Sequence, residues 1–181
     1  FVNDVESIFP NATGMPIVQQ KAGLIVIQSF NIALTISIIF LIIFIYLIFK
    51  RFVYVLISLI SLLIAFMFSV FIMILFNINL NFANMIALPL LYSLGISFTV
   101  YFIKRFIQYE GKIDSVISSN TPKAIIFSAA TTMGSFSTLA ISSHSGTSSM
   151  GLLLFICLLM TVLSAVFILP VLLSSFKFLI K

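Results

Sequence analysis

Residues 81–103, NFANMIALPLLYSLGISFTVYFI, decide how this chain is to be read. The stretch contains no Asp, Glu, Lys, Arg or His and is long enough to cross a membrane as a helix. Within it Ser93, Ser97 and Tyr101 recur at i, i+4 and i+8, which places all three on one helix face. An apolar span with a polar line along one side makes these three residues candidates for lining a translocation or relay path.

The flanking sequence has the same character. Hydrophobic residues make up 62% of the chain and charged residues 7%, more apolar surface than a soluble domain of this length can hide. The expected fold is an all-α integral membrane protein with five transmembrane helices. Their expected spans are the charge-free stretches at about 24–49, 52–76, 83–103, 124–141 and 150–176. The fourth is rich in Ser, Thr, Ala and Gly and is expected to lie among the others. The resulting domain division is a tail of an extracytoplasmic domain over 1–23 and a five-helix membrane domain over 24–178. A cytoplasmic interfacial segment, interrupted near Gly111, is expected over 104–120.

Lys50 and Arg51 fall between the first two spans, Lys104, Arg105, Lys112 and Lys123 between the third and fourth, and Lys177 and Lys181 after the fifth; Lys21 alone falls on the other side. Because Lys and Arg near span ends are retained in the cytoplasm, this distribution predicts an outward N-terminus and a cytoplasmic C-terminus. The net charge of +5 is then a matter of membrane orientation, and nucleic acid is excluded as a partner. Membrane lipids are the expected surroundings.

Local signals refine the elements. Pro10, Gly14 and Pro16 break up the first 23 residues; Lys50-Arg51 leaves almost no loop, so the first two spans form a tight hairpin. Asn81 or Asn84 is placed to cap the third span, Pro89 falls near its start, and Thr121-Pro122 supplies an N-cap and first-turn pair for the fourth. In that fourth span Ala130, Gly134 and Thr138 lie four residues apart and form a small-residue face for helix packing, while Thr131 and Ser135 stand on the adjacent line. Pro170 predicts a kink in the fifth.

Enzymatic and metal chemistry lack their residues. His144 is the only histidine and Cys157 the only cysteine, so no metal site, cofactor or internal disulfide is expected. Glu110 and Asp114 fall on the opposite side of the membrane from His144, so no carboxylate or imidazole is placed to activate a serine.

The segments NFANMIALPLLYSLGISF (81–98) and FSAATTMGSFSTLAISSHSGTSSMGLLL (127–154) resemble the resistance-nodulation-division (RND) transporter superfamily, in its MMPL-type and hopanoid-exporter-like branch. Such proteins have twelve membrane helices in two similar halves, and this chain resembles the last five, a bundle similar to a sterol-sensing domain. The resemblance implies a C-terminal membrane half of a bacterial inner-membrane exporter, driven by protons and moving a hopanoid-like lipid or another hydrophobic substrate. It also implies a partner, the missing N-terminal half or a separate membrane chain. A chain opening on Phe1 without a basic leader fits a fragment.

Family members carry a proton-binding Asp in a Gly-x-Asp-Tyr/Phe context on the third helix of this unit. The matching residues here are Gly95-Ile96-Ser97-Phe98, so Ser97 stands at the proton-relay position, and a hydroxyl does not titrate in the useful range. Two explanations stay open. The other half carries the carboxylate and Ser97 keeps a hydrogen-bonding role beside Thr131, Thr132 or Ser135, with Gly95 a packing residue. Alternatively, the chain is a lipid-binding or structural remnant of a split or decaying gene that transports nothing. A protein-export accessory subunit of the same superfamily is a third reading.

Overall fold

The computed structural model describes residues 14–78 and 81–176. Pro10 and most of the expected extracytoplasmic tail lie outside the described residues, as do Lys177 and Lys181. No strand occurs among the described residues, in keeping with an all-α fold.

Helix α1 spans Met15–Phe49, beginning nine residues before the expected first span. Gly14 precedes it in extended backbone and Pro16 lies in its first turn, so the expected breakers start the helix. A first-turn proline loses no intrahelical bond, since the N–H groups there have no partner one turn back. Lys50, in the left-handed region at φ 52°, donates its N–H to Tyr46 O at 2.7 Å, and Arg51 is extended. Those two residues turn the chain directly into α2, Phe52–Leu75, the tight hairpin expected.

Helix α2 ends in a Schellman motif: Asn77 has φ 52°, and the N–H groups of Asn77 and Ile78 reach Ile74 O and Met73 O. Helix α3, Phe82–Gln108, opens on Asn81, whose side chain accepts the Asn84 N–H at 2.9 Å. Asn84 is itself buried and donates from Nδ2 to Ser149 Oγ at 2.8 Å. Pro89 lies two turns inside α3, deeper than expected. Lys104–Gln108 continue α3, so the stretch expected as an interfacial segment holds only one separate element, the short helix α4, Ile113–Ser118. Between them a second Schellman turn places Glu110 and Gly111 at positive φ, with their N–H groups on Ile107 O and Phe106 O.

Helix α5 spans Thr121–Ala140, with Asn120 at the N-cap position in place of Thr121. The Thr121 N–H is taken by Ser119 Oγ at 3.1 Å. A continuous helical rod over Ser145–Ser175 follows. It comprises α6 (Ser145–Leu163), a π turn over Ser164–Ile168 and α7 (Leu169–Ser175). The π turn immediately precedes Pro170, whose ring and missing N–H exclude the α-helical bond to Val166 O; the Leu169 N–H reaches back five residues to Ser164 O. At this widened turn Ser164 donates to Ser61 O at 2.7 Å, and the two hydroxyls lie 2.9 Å apart.

The α6–α7 rod is the centre of the bundle, packed on α2, α3 and α5, while α1 lies against α2 and α3. Its core joins Phe102 and Phe106 of α3, Val116 of α4, and Leu158, Leu169 and Leu173 of the rod, all fully buried. Two glycines set the spacing. A Cβ on Gly95 would come within 2.9 Å of Thr161 and 3.0 Å of Leu62, and one on Gly151 would fall 2.5 Å from Ala140 N. Ser148 Oγ closes the same α5–α6 hairpin by donating to Ala140 O at 2.6 Å.

Large apolar side chains face outward, among them Phe40 at 66% exposure, Phe71 at 61% and Ile74 at 71%. Such a surface is stable only in lipid or under other protein. Ile17–Phe49, Phe52–Leu75 and Ser145–Ser175 are long and apolar enough to cross a membrane. Helix α1 alone is roughly 50 Å long against a hydrocarbon core of about 30 Å, so it tilts or projects beyond the bilayer. The antiparallel run of α1, α2, α3 and α5 brings Lys50, Arg51, Lys104, Arg105 and Lys123 to one end of the bundle, and Lys21 to the other.

Candidate translocation face

The two faces of α3 divide sharply. Gly95, Phe98, Thr99 and Phe102 are buried against the bundle, whereas Ser93, Ser97 and Tyr101 are exposed along one line. The spacing that defined the line in the sequence therefore produces an open polar strip in the structure. Ser97 donates to Leu94 O of its own helix at 2.6 Å. Tyr101 is held from one turn below, where Arg105 donates to its hydroxyl at 3.3 Å and stacks over its ring at 5.5 Å.

Helix α5 supplies the neighbouring wall. Thr131, Thr132 and Ser135 donate to the carbonyls of Phe127, Ser128 and Thr131 at 2.9, 3.0 and 3.2 Å, each one turn back in α5. None of the three bonds to Ser97. The α5 hydroxyl that shares a groove with Ser97 is that of Ser128: a groove of about 340 Å³ is lined by Ser97, Phe98 and Tyr101 from α3 and Ala124, Ile125 and Ser128 from α5. Sequence reasoning missed Ser128, although it precedes Thr131 and Thr132 by three and four residues and so belongs to the same hydroxyl-rich side.

The small-residue face of α5 is not where this chain packs. A Cβ on Gly134 would meet nothing within 4 Å, and Ala130 and Thr138 are exposed. The buried line of α5 is instead Thr121, Ile125 and Ala129. At Gly95, by contrast, an added Cβ would press on Thr161 of α6 and Leu62 of α2. Ser93, Ser97 and Tyr101 on α3 and Ala130, Thr131, Gly134, Ser135 and Thr138 on α5 are thus all exposed, and no helix among the described residues covers them. Among the described residues no three His, Cys, Asp or Glu side chains gather as a metal site.

No family model matches the chain. It is similar to the hopanoid transporter HpnN of Burkholderia multivorans, with 36% identity over 175 residues, covering 97% of this chain and 20% of the relative. It is likewise similar to the hopanoid transporter HpnN of Rhodopseudomonas palustris, with 35% identity over 166 residues, covering 92% of this chain and 19% of the relative. The chain spans about a fifth of the length of these curated relatives. Both are named as transporters, which agrees with a non-enzymatic reading. Over that shared fifth, the sequence of this chain resembles the RND transporter superfamily, in its hopanoid-exporter-like branch.

Proposed function

We propose that this chain is one membrane half of a larger RND-type exporter, which moves a hopanoid or another hydrophobic lipid at the expense of the proton gradient. The observation that carries this reading is the open polar strip of α3 and α5. Hydroxyls and a bare glycine facing hydrocarbon gain nothing there, whereas small and hydroxylated residues allow close approach of a second helical bundle. Relatives about five times longer, named hopanoid transporters, support a partner of that kind and a lipid substrate.

In this reading α3 and α5 cross the membrane together with α1, α2 and the α6–α7 rod, giving five spans. The basic end faces the cytoplasm of a bacterial cell, the start of α1 faces outward, and residues 1–23 continue from an extracytoplasmic domain. Ser97 stands where the family carboxylate would be, and the spans described contain no Asp or Glu, so the proton-carrying carboxylate belongs to the other half. Ser93, Ser97, Tyr101 and the α5 hydroxyls then line the contact across which the two halves move.

The test is lipid export by the complete transporter in vesicles, with and without an uncoupler. Export that stops when the gradient collapses is expected. An unchanged rate after collapse removes the energetic half of the proposal, and absence of any lipid movement removes the substrate half.

A further inference from the structure

The last two turns of α3 carry a cluster of which the translocation reading uses only Tyr101. Tyr101, Lys104, Arg105 and Gln108 fall at i, i+3, i+4 and i+7, one stripe of the helix, and line a groove of about 180 Å³. Arg105 is fixed in it by two neutral partners, Gln108 Oε1 at 3.2 Å and the Tyr101 hydroxyl at 3.3 Å. Neither Lys104 nor Arg105 pairs with a carboxylate among the described residues, and Glu110 lies 3.5 Å from Lys112. The groove therefore holds two positive charges that the described protein does not neutralise.

Tyr101 also lines the second groove, with Ser97, Phe98, Ala124, Ile125 and Ser128. This side chain is the one lining residue that the two grooves share. From there one opens onto the basic end of the bundle, and the other extends between α3 and α5 toward mid-span. A cationic mouth leading into a trough of mainly apolar walls fits a ligand with a phosphate head and an alkyl chain. We infer that α3 and α5 form a site for an anionic phospholipid. Its phosphate rests on Lys104, Arg105 and Gln108, and its acyl chain passes Tyr101 beside Ser97 and Ser128. The site needs only α3 and α5 and does not rest on transport.

Basic residues at a helix C-terminus are also favoured by the helix dipole and by membrane topology alone. Lys50 and Arg51, at the same end of the bundle, line neither groove and serve as the control for that general attraction. The full chain, purified in detergent, would be mixed with phosphatidylglycerol or phosphatidylcholine and the retained lipid counted by native mass spectrometry. Preferential retention of phosphatidylglycerol is expected. Removing both groove charges, Lys104→Gln with Arg105→Gln, should weaken it roughly thirty-fold, the value for two juxtamembrane basic contacts. Lys50→Gln with Arg51→Gln should leave it nearly unchanged, and Ser128→Phe, which fills the trough without altering charge, should weaken it as strongly as the groove pair.

Equal losses from the two charge-removing pairs would overturn the site in favour of diffuse attraction. Equal retention of the two lipids would do the same. Displacement by inorganic phosphate, together with indifference to Ser128→Phe, would overturn the lipid assignment and leave a free-phosphate pocket.

Discussion

Gly151 and Gly134 are both helical glycines in the α5–α6 hairpin, yet a single added methyl group should act on them in opposite directions. In Gly151→Ala the new Cβ would lie 2.5 Å from Ala140 N and 2.7 Å from the Leu139 carbonyl carbon, against an ordinary contact of 3.4–4 Å. Both obstacles are backbone, so the helices must separate by about 1 Å, a shift of the kind that costs about 1–3 kcal/mol in overpacked cores. The same separation stretches the 2.6 Å bond from Ser148 Oγ to Ala140 O. Gly134→Ala meets nothing within 4 Å and should be neutral, or stabilising by up to about 1 kcal/mol from helix propensity. Unfolding of the two variants in detergent, followed by circular dichroism, measures the difference directly. If Gly151→Ala unfolded at the wild-type midpoint, the close approach of α5 and α6 would be refuted.

Other variants examine separate joints. Gly95→Ala should destabilise the bundle less than Gly151→Ala, because its obstacles at 2.9 and 3.0 Å are the side chains of Thr161 and Leu62, which can turn aside; the same melts rank the two. Ser164→Ala removes the donor to Ser61 O and should cost about 0.6–1.7 kcal/mol, the range for hydroxyl bonds between membrane helices, with Ser174→Ala as an exposed control. Ser97→Ala gives up only a bond to its own helix and should change stability by less than about 0.5 kcal/mol, so any larger loss of lipid export by the assembled transporter reports function. Ser97→Asp, in the assembled transporter, should make export more steeply dependent on pH; an unaltered pH profile would argue against Ser97 standing at a proton-relay position.

Much of this architecture follows from the sequence because charge-free runs, Asn caps and the Lys50-Arg51 turn each act locally. Pro16 misleads because the same residue breaks a helix interior and starts a helix end, and only the position of the first turn distinguishes the two. Lys104 and Arg105 look like the start of a surface segment, yet their backbone continues α3 for another turn, since exposed basic side chains at a helix C-terminus cost nothing. The packing face of α5 carries no such local signal. Ala129 faces the core while its neighbour Ala130, like Gly134, faces outward, and at these positions the two lines are equally small. Composition cannot say which such line meets its own chain and which meets another. The π turn escapes for a related reason: Pro170 predicts a disturbed helix, but not that Ser164 at this turn meets Ser61 across 103 residues of sequence.

The open strip centred on Ser97 is the feature on which the account depends, and its accessibility tests it most directly. Ser97→Cys, in a chain whose only native cysteine is removed by Cys157→Ala, would be labelled with a membrane-permeant maleimide, alone and together with the rest of the transporter. Rapid labelling of the chain alone and strong protection in the assembly is the predicted result. Equal labelling in both states would show that no second bundle covers this face, and would contradict the reading of the chain as one membrane half of a transporter.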